Sequence, residues 1–400
     1  LRHGRFQQWQ LSGHSNYALA LEEGTVESRA PSSTSAGAGH CGRCHSAQGF
    51  VNWVAQGDLT QYLQGADKTP GAWATGAELT AMGLTNASVH PQTCATCHEA
   101  HLQGTTSSEP NTATVRLDGD LGMTPAGFDA PGVGHGAICI ACHNTRNGAH
   151  NDLIVPGATF TTPHAPAQGD VLMGENAYFV APGARGPHSY ITNTCTNCHM
   201  QLTPPPELLS YSQTGTNHSF KAEMTICANC HGEFDGGSMQ AVMEKNMGKL
   251  LVKIQDGIKA RMNAANVVWV RARNTATGAY SSSSSTSANL MLDTSVNPVK
   301  SVVLSGTTAT VTLTSAISDT WSTPGTPIGI TSFSVALSVL KVDNGSLTAA
   351  GAGLVVPTTT NLYRAIWNYS LVTNDGSKGV HNPSFVRDVV NATLNKDLAQ

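Results

Sequence analysis

Ten cysteines fall into five Cys-x-x-Cys pairs, and a histidine follows each pair at once. The runs read CGRCH from Cys41 to His45, CATCH from Cys94 to His98 and CIACH from Cys139 to His143. CTNCH from Cys195 to His199 and CANCH from Cys227 to His231 complete the set, and no cysteine is left over. Histidine makes up 16 of 400 residues, so five chance placements have odds of (16/400)⁵, about 10⁻⁷. Disulfides would explain an even cysteine count in a secreted chain, but not the histidine that follows each pair. Zinc ribbons also use Cys-x-x-Cys, but each needs a second pair or histidines at its own spacing.

The spacing suits covalent haem attachment. Two thiols three residues apart form thioethers to the two porphyrin vinyl groups, and the next side chain reaches the iron as an axial ligand. Cys41, Cys44, Cys94, Cys97, Cys139, Cys142, Cys195, Cys198, Cys227 and Cys230 are therefore read as attachment points for five haem c groups. His45, His98, His143, His199 and His231 are read as proximal iron ligands. Attachment of this kind takes place outside the cytoplasm. An extracellular or cell-surface location is expected, with the periplasm as the alternative.

Composition narrows the partners. Charged residues amount to 12% and the formal net charge is −4, with no basic excess to suit nucleic acid. No run of eighteen apolar residues occurs, so no transmembrane segment is expected. The chain starts at Leu1 without a Met or a signal-peptide pattern and is read as a processed mature form.

All five motifs lie between residues 41 and 231, and residues 1–235 are read as the haem-bearing domain. That stretch is too short for five separate apolar cores, so the porphyrins are expected to supply much of the buried surface. Met239, Val242, Met243, Met247, Leu250, Leu251, Ile254, Ile258 and Met262 then recur at helical spacing. They predict an amphipathic helix over about 238–265, within a segment 236–274 that packs on the haem domain. A methionine stripe of this kind reads as packing rather than metal ligation.

Ser281 to Ser285 read as a loop. Ala309, Val311 and Leu313, then Phe333, Val335, Leu337 and Val339, alternate with polar or small residues as strands do. Asp343-Asn344-Gly345 reads as a hairpin turn. Residues 275–357, which contain neither cysteine nor histidine, are expected to form an inserted β-rich domain. In the segment 358–400, Thr358 to Thr360 are read as the cap of a helix carrying Leu362, Ile366 and Tyr369. Asn382-Pro383-Ser384 starts a last helix with Phe385, Val386, Val389, Val390 and Leu394 on its apolar face.

Eleven histidines remain once the proximal ligands are set aside: His3, His14, His40, His90, His101, His135, His150, His164, His188, His218 and His381. The run from His188 through CTNCHM, then Asn217-His218 and CANCH, resembles the ammonia-forming pentahaem cytochrome c nitrite reductases. Gly13-His14 and the segment Gly379-Val380-His381-Asn382-Pro383 extend the resemblance to both ends of the chain. It implies that His14, His188, His218 and His381 are distal iron ligands. His164, in Thr162-Pro163-His164, matches the region of that family's pocket histidine and is taken here as a further distal ligand.

His101 and His135 are reserves for the same role, and His40 adjoins Cys41 too closely to reach another iron. His3, His90 and His150 are read as surface residues or as partners of haem propionates. His14 lies in a short N-terminal arm that could instead ligate a haem of a neighbouring subunit.

The chain departs from that family at its first motif, where CGRCH stands in place of the lysine-containing version that leaves a catalytic iron open. Nor can the family's active-site Arg and Tyr be placed on it. The expected fold is therefore a loop-rich multihaem c-type cytochrome with short helices, C-terminal helices and an inserted small β-sandwich-like domain. The expected function is electron transfer through closely spaced bis-histidine haems, without a catalytic residue. Redox partner proteins or extracellular acceptors would exchange the electrons. Self-association, including a conductive filament of the kind secreted by metal-respiring bacteria, suits the low charge and loop-rich composition. The alternative is a reductase of nitrite, hydroxylamine or a sulfur oxyanion with one open iron.

Overall fold

The computed structural model describes the chain except for residues 1–3, 27–36, 66–72, 104–112, 155–159, 202–215, 234, 266, 275–286, 317–330, 343–353, 356–359 and 400. His3, the serine run 281–285 and the turn at 343–345 lie outside the described residues. The chain divides into two compact units. The first comprises Leu1–Gly148, Gln168–Met173 and Gly186–Gly237; the second comprises Ala149–Ala167, Gly174–Arg185 and Ser238–Gln400.

Short helices carry the motifs of the first unit: Gly37–His45, Cys94–Cys97, Ala137–Ile140, Thr194–His199 and Ala228–His231. Their ends are set by local hydrogen bonds. Ser46 donates to the Gly42 carbonyl at 2.7 Å and accepts from Gly49 N at 3.0 Å, so one hydroxyl closes one helix and caps the next, Ala47–Gln56. One apolar cluster, which includes Phe50, Trp53, Leu63, Leu84, Phe128 and Ile140, packs against Cys44, Cys142 and Cys195 of the first, third and fourth motifs. Burying each such side chain is worth about 1.5–3 kcal/mol. At the fifth motif, by contrast, Cys230 and His231 are exposed. The second motif runs directly into a small antiparallel ribbon, β1 (His98–Gln103) with β2 (Ala113–Val115).

In the second unit the stripe read from the sequence forms the helix Gly236–Ala264. Met243, Leu250, Ile254, Ile258 and Met262 are buried, but Val242 is 61% exposed and does not belong to the apolar face. A strand follows at Val267, so the β-rich segment begins before residue 275, inside the stretch expected to pack as helix.

The strands are β3 (Val267–Asn274), β4 (Ser287–Asp293), β5 (Val299–Ser305), β6 (Thr308–Leu313), β7 (Ser332–Ala336), β8 (Leu340–Val342) and β9 (Leu354–Val355). They form two antiparallel sheets, ordered β4-β3-β8-β9 and β5-β6-β7. Ser305 pairs with Thr308 across a two-residue turn whose Gly306 has φ +55°, the left-handed conformation that such hairpins require. Ala309, Val311, Leu313, Phe333 and Val335 are all buried, as strand alternation demands, but Leu337 and Val339, read from the sequence as strand, form a 3-10 turn over Leu337–Val339 in which Leu337 is buried.

The chain ends in the helices Asn361–Asp375 and Pro383–Leu394. Thr360 takes the cap position of the first with extended backbone but makes no side-chain cap bond. Asn382 caps the second by accepting from Phe385 N at 3.2 Å. Asn368 is fully buried; it accepts from Tyr178 N at 2.8 Å and donates to Tyr178 O at 2.8 Å and to Thr393 Oγ1 at 3.0 Å. A Cβ on Gly257 would come within 2.9 Å of Leu398, so the absent side chain lets the C-terminal segment close on the long helix.

Candidate functional site

Four motif histidines end or directly follow short helices, and His143 lies three residues beyond the helix Ala137–Ile140, with its backbone N donating to the Cys139 carbonyl at 2.8 Å. None of the ten cysteines is paired in a disulfide. The Cys44 side chain lies close to that of Cys142, and the Cys139 side chain to that of Cys195. The third motif therefore lies beside both the first and the fourth. Burial, then the neighbouring Cys195, Cys227 and Cys230, push the Cys198 thiol up, which brings the fifth motif near the fourth.

Three proximal histidines face a second histidine of the same unit. The ring centroids are 6.1 Å apart for His14 and His143, 6.3 Å for His98 and His218, and 6.2 Å for His188 and His231. An iron held by two imidazole nitrogens at about 2.0 Å, with each ring centre about 1.1 Å further out, sets the centroids about 6.2 Å apart. All three pairs match that spacing. His14 faces His143 within one chain.

The other ring nitrogen is tied down on several of these residues. Nδ1 lies 2.7 Å from Glu23 Oε2 in His45, 3.1 Å from Gln168 Oε1 in His143 and 3.0 Å from the Phe220 carbonyl in His199. It lies 3.1 Å from the Thr216 carbonyl in His218 and 2.6 Å from Asp375 Oδ1 in His381. Each partner is an acceptor, so Nδ1 carries the proton and Nε2 is left with its lone pair for a metal. Burial, and then the neighbouring His143, push His14 down to about 4, which keeps it in the neutral form that ligation needs. Gln8 Oε1 accepts from the His218 backbone N at 3.0 Å and holds that loop in place.

Of the other candidates, His164 is half-buried and His381 hydrogen-bonds Asp375, both within the second unit. His135 directs Nε2 towards Asp118 at 3.7 Å, and His101 lies exposed on β1. His40 stacks near Tyr62 and Trp73. His90 is exposed. His150, read from the sequence as a surface or propionate-facing residue, instead stacks on Trp367 at 3.7 Å and 14°. Glu23, Gln168 and Asp375 carry no signal in the sequence, because nothing in their spacing marks a carboxylate or amide that will meet a ring nitrogen.

The donor set fits haem. Among the described residues no cluster of three or more His, Cys, Asp or Glu side chains could hold a bare ion. Paired imidazoles about 6 Å apart, with two thiols in the same motif as one of them, suit a metal that would bring further ligands of its own.

No family model matches the chain, and no curated protein matches it. Among solved structures, an outer cell wall cytochrome, OcwA, superposes with a TM-score of 0.45 and 15% identity. The match covers 97% of this chain and 49% of that one, so the chain spans about half the length of that structure.

Proposed function

We propose that the chain is a multihaem c-type cytochrome that holds five haem c groups and transfers electrons between them. One observation carries the reading: behind Cys-x-x-Cys-His motifs, three proximal histidines face a second histidine at 6.1–6.3 Å, the spacing of a six-coordinate iron. Haem c supplies a one-electron iron couple when bound.

The chain's own residues do the rest. The cysteines tether the porphyrins. His14 with His143, His218 with His98 and His188 with His231 would each hold an iron through two imidazoles, which would leave substrate no place at those three sites. The Nδ1 partners hold the rings so that a change of redox state needs little rearrangement. His164 and His381 are the candidates for further distal ligands. Among the described residues no helix is long and apolar enough to cross a membrane. An extracellular or cell-surface location, redox partner proteins and self-association into a filament complete the proposal.

An EPR and optical spectrum of the oxidised protein, beside a haem-to-protein ratio, tests it. Five haems, all low-spin, support the relay. One high-spin haem that binds nitrite or cyanide would replace it with the reductase reading. Electron microscopy of the purified protein separates a filament from a discrete carrier.

A further inference from the structure

Arg43 is the third residue of the first motif, and only 1% of it is exposed. Its guanidinium lies 5.1 Å from the Trp53 ring centre and 4.9 Å from that of Tyr62, between two aromatic rings. Nη1 donates to the Gln61 carbonyl at 3.0 Å. Nε is buried and has no hydrogen-bond partner, and the same is true of Nε of Arg146, just beyond the third motif.

Burial opposes the Arg43 charge, and the Arg146 guanidinium lies near enough to act on it as well. Among the described residues no Asp or Glu forms an ion pair with either arginine. A buried charge with a second like charge near it and no anion destabilises a fold, because contact with aromatic rings does not replace the water that the Arg43 guanidinium has lost.

We infer that Arg43 and Arg146 form a carboxylate-binding site whose occupant is a propionate of a bound haem. This rests on the haem reading above, since each haem brings two propionates into the unit. Guanidinium suits such an occupant, because its planar fork matches a carboxylate and it stays charged when buried. Trp53 and Tyr62 hold the fork in plane, Gln61 satisfies one donor, and Nε is left facing the anion. The dissolved-anion alternative, in which chloride or phosphate fills the site, makes a different prediction.

The test uses the haem-loaded protein and its Arg43→Gln, Arg43→Lys and Arg146→Gln variants. Haem content is measured first, then the midpoint potentials. Loss of one positive charge beside a propionate favours ferric iron, so one midpoint should fall in Arg43→Gln and in Arg146→Gln. The expected size is about tenfold in the oxidised-to-reduced ratio at fixed poise, which is about 59 mV for one electron. Arg43→Lys keeps the charge and should recover most of the shift.

Arg146 is only half-buried on its loop, so its variant carries the test if Arg43→Gln does not fold. Haem present at full ratio with every midpoint unmoved in Arg146→Gln overturns the site and leaves the cytochrome reading intact. A wild-type midpoint that moves when phosphate replaces chloride at constant ionic strength overturns the propionate in favour of a dissolved anion. A wild-type chain without haem overturns the functional reading and the site together.

Discussion

The carboxylate of Asp375, fully buried, accepts a hydrogen bond from Nδ1 of His381 at 2.6 Å. Its other oxygen is held by Ser377, whose backbone N lies 3.2 Å away, and the Ser377 hydroxyl also contacts the His381 backbone N at 3.2 Å. A carboxylate on the far nitrogen makes imidazole a stronger donor and favours ferric iron. Asp375→Asn keeps the shape and weakens that push. One midpoint should rise by about 59 mV, equivalent to tenfold for one electron. Glu23→Gln, beside His45, should raise another midpoint in the same direction. An optically monitored redox titration reads both, and unmoved midpoints would show that neither carboxylate acts through its histidine.

The three facing pairs predict three separate spectroscopic losses. His14→Ala should convert one iron to high spin, the iron held at Cys139 and Cys142. His218→Ala should do the same at the second motif and His188→Ala at the fifth. His101→Ala and His135→Ala should leave every haem low-spin, because His101 is exposed on β1 and His135 is turned towards Asp118. High-spin EPR intensity counted per haem checks all five variants. A low-spin spectrum for His14→Ala would refute the pairing with His143.

Legibility in the sequence depends on the range of the interaction. The motifs are local: thiols and imidazole lie within five consecutive residues, so the sequence alone marks them. His14, His188 and His218 could be named as candidates but not paired, since His14 meets His143 through tertiary structure alone. The long helix was legible because its apolar stripe repeats turn after turn from Met239 to Met262. Its end was not, because no Gly or Pro occurs between Gly257 and Gly278 to mark where helix gives way to β3. Arg43 passed as a filler inside a motif, since burial between Trp53 and Tyr62 leaves no local trace.

The β-rich part carries its own core, and that core should be separable from the haem chemistry. Phe333 is 4% exposed and pairs with Val311 across β6 and β7. Truncating a buried phenylalanine costs about 3–5 kcal/mol in transfer and cavity terms. Phe333→Ala should therefore lower the first thermal transition while haem content and the low-spin spectrum stay unchanged. Loss of haem in this variant would mean that the β sheets are needed to hold the cofactors.

The short segment Gln168–Met173 positions His143. Asp170 is fully buried and accepts from Thr145 N at 2.9 Å and from Thr145 Oγ1 at 2.7 Å. That clamp fixes the segment from which Gln168 reaches His143 Nδ1, and Gly169 N donates to the His143 carbonyl at 2.8 Å. A Cβ on Gly169 would come within 2.9 Å of that carbonyl oxygen and of Ile140, so this approach has no room for a side chain. Asp170→Ala leaves the buried Thr145 amide without an acceptor, at a cost of about 1–3 kcal/mol. Gly169→Ala should push the segment off His143 without removing a charge. Both variants should broaden the low-spin signal of the third-motif haem, and only Asp170→Ala should also lose stability through an orphaned donor. Denaturant midpoints and EPR on the same samples separate the two effects; an unaltered signal in both would mean that His143 is held by its iron alone.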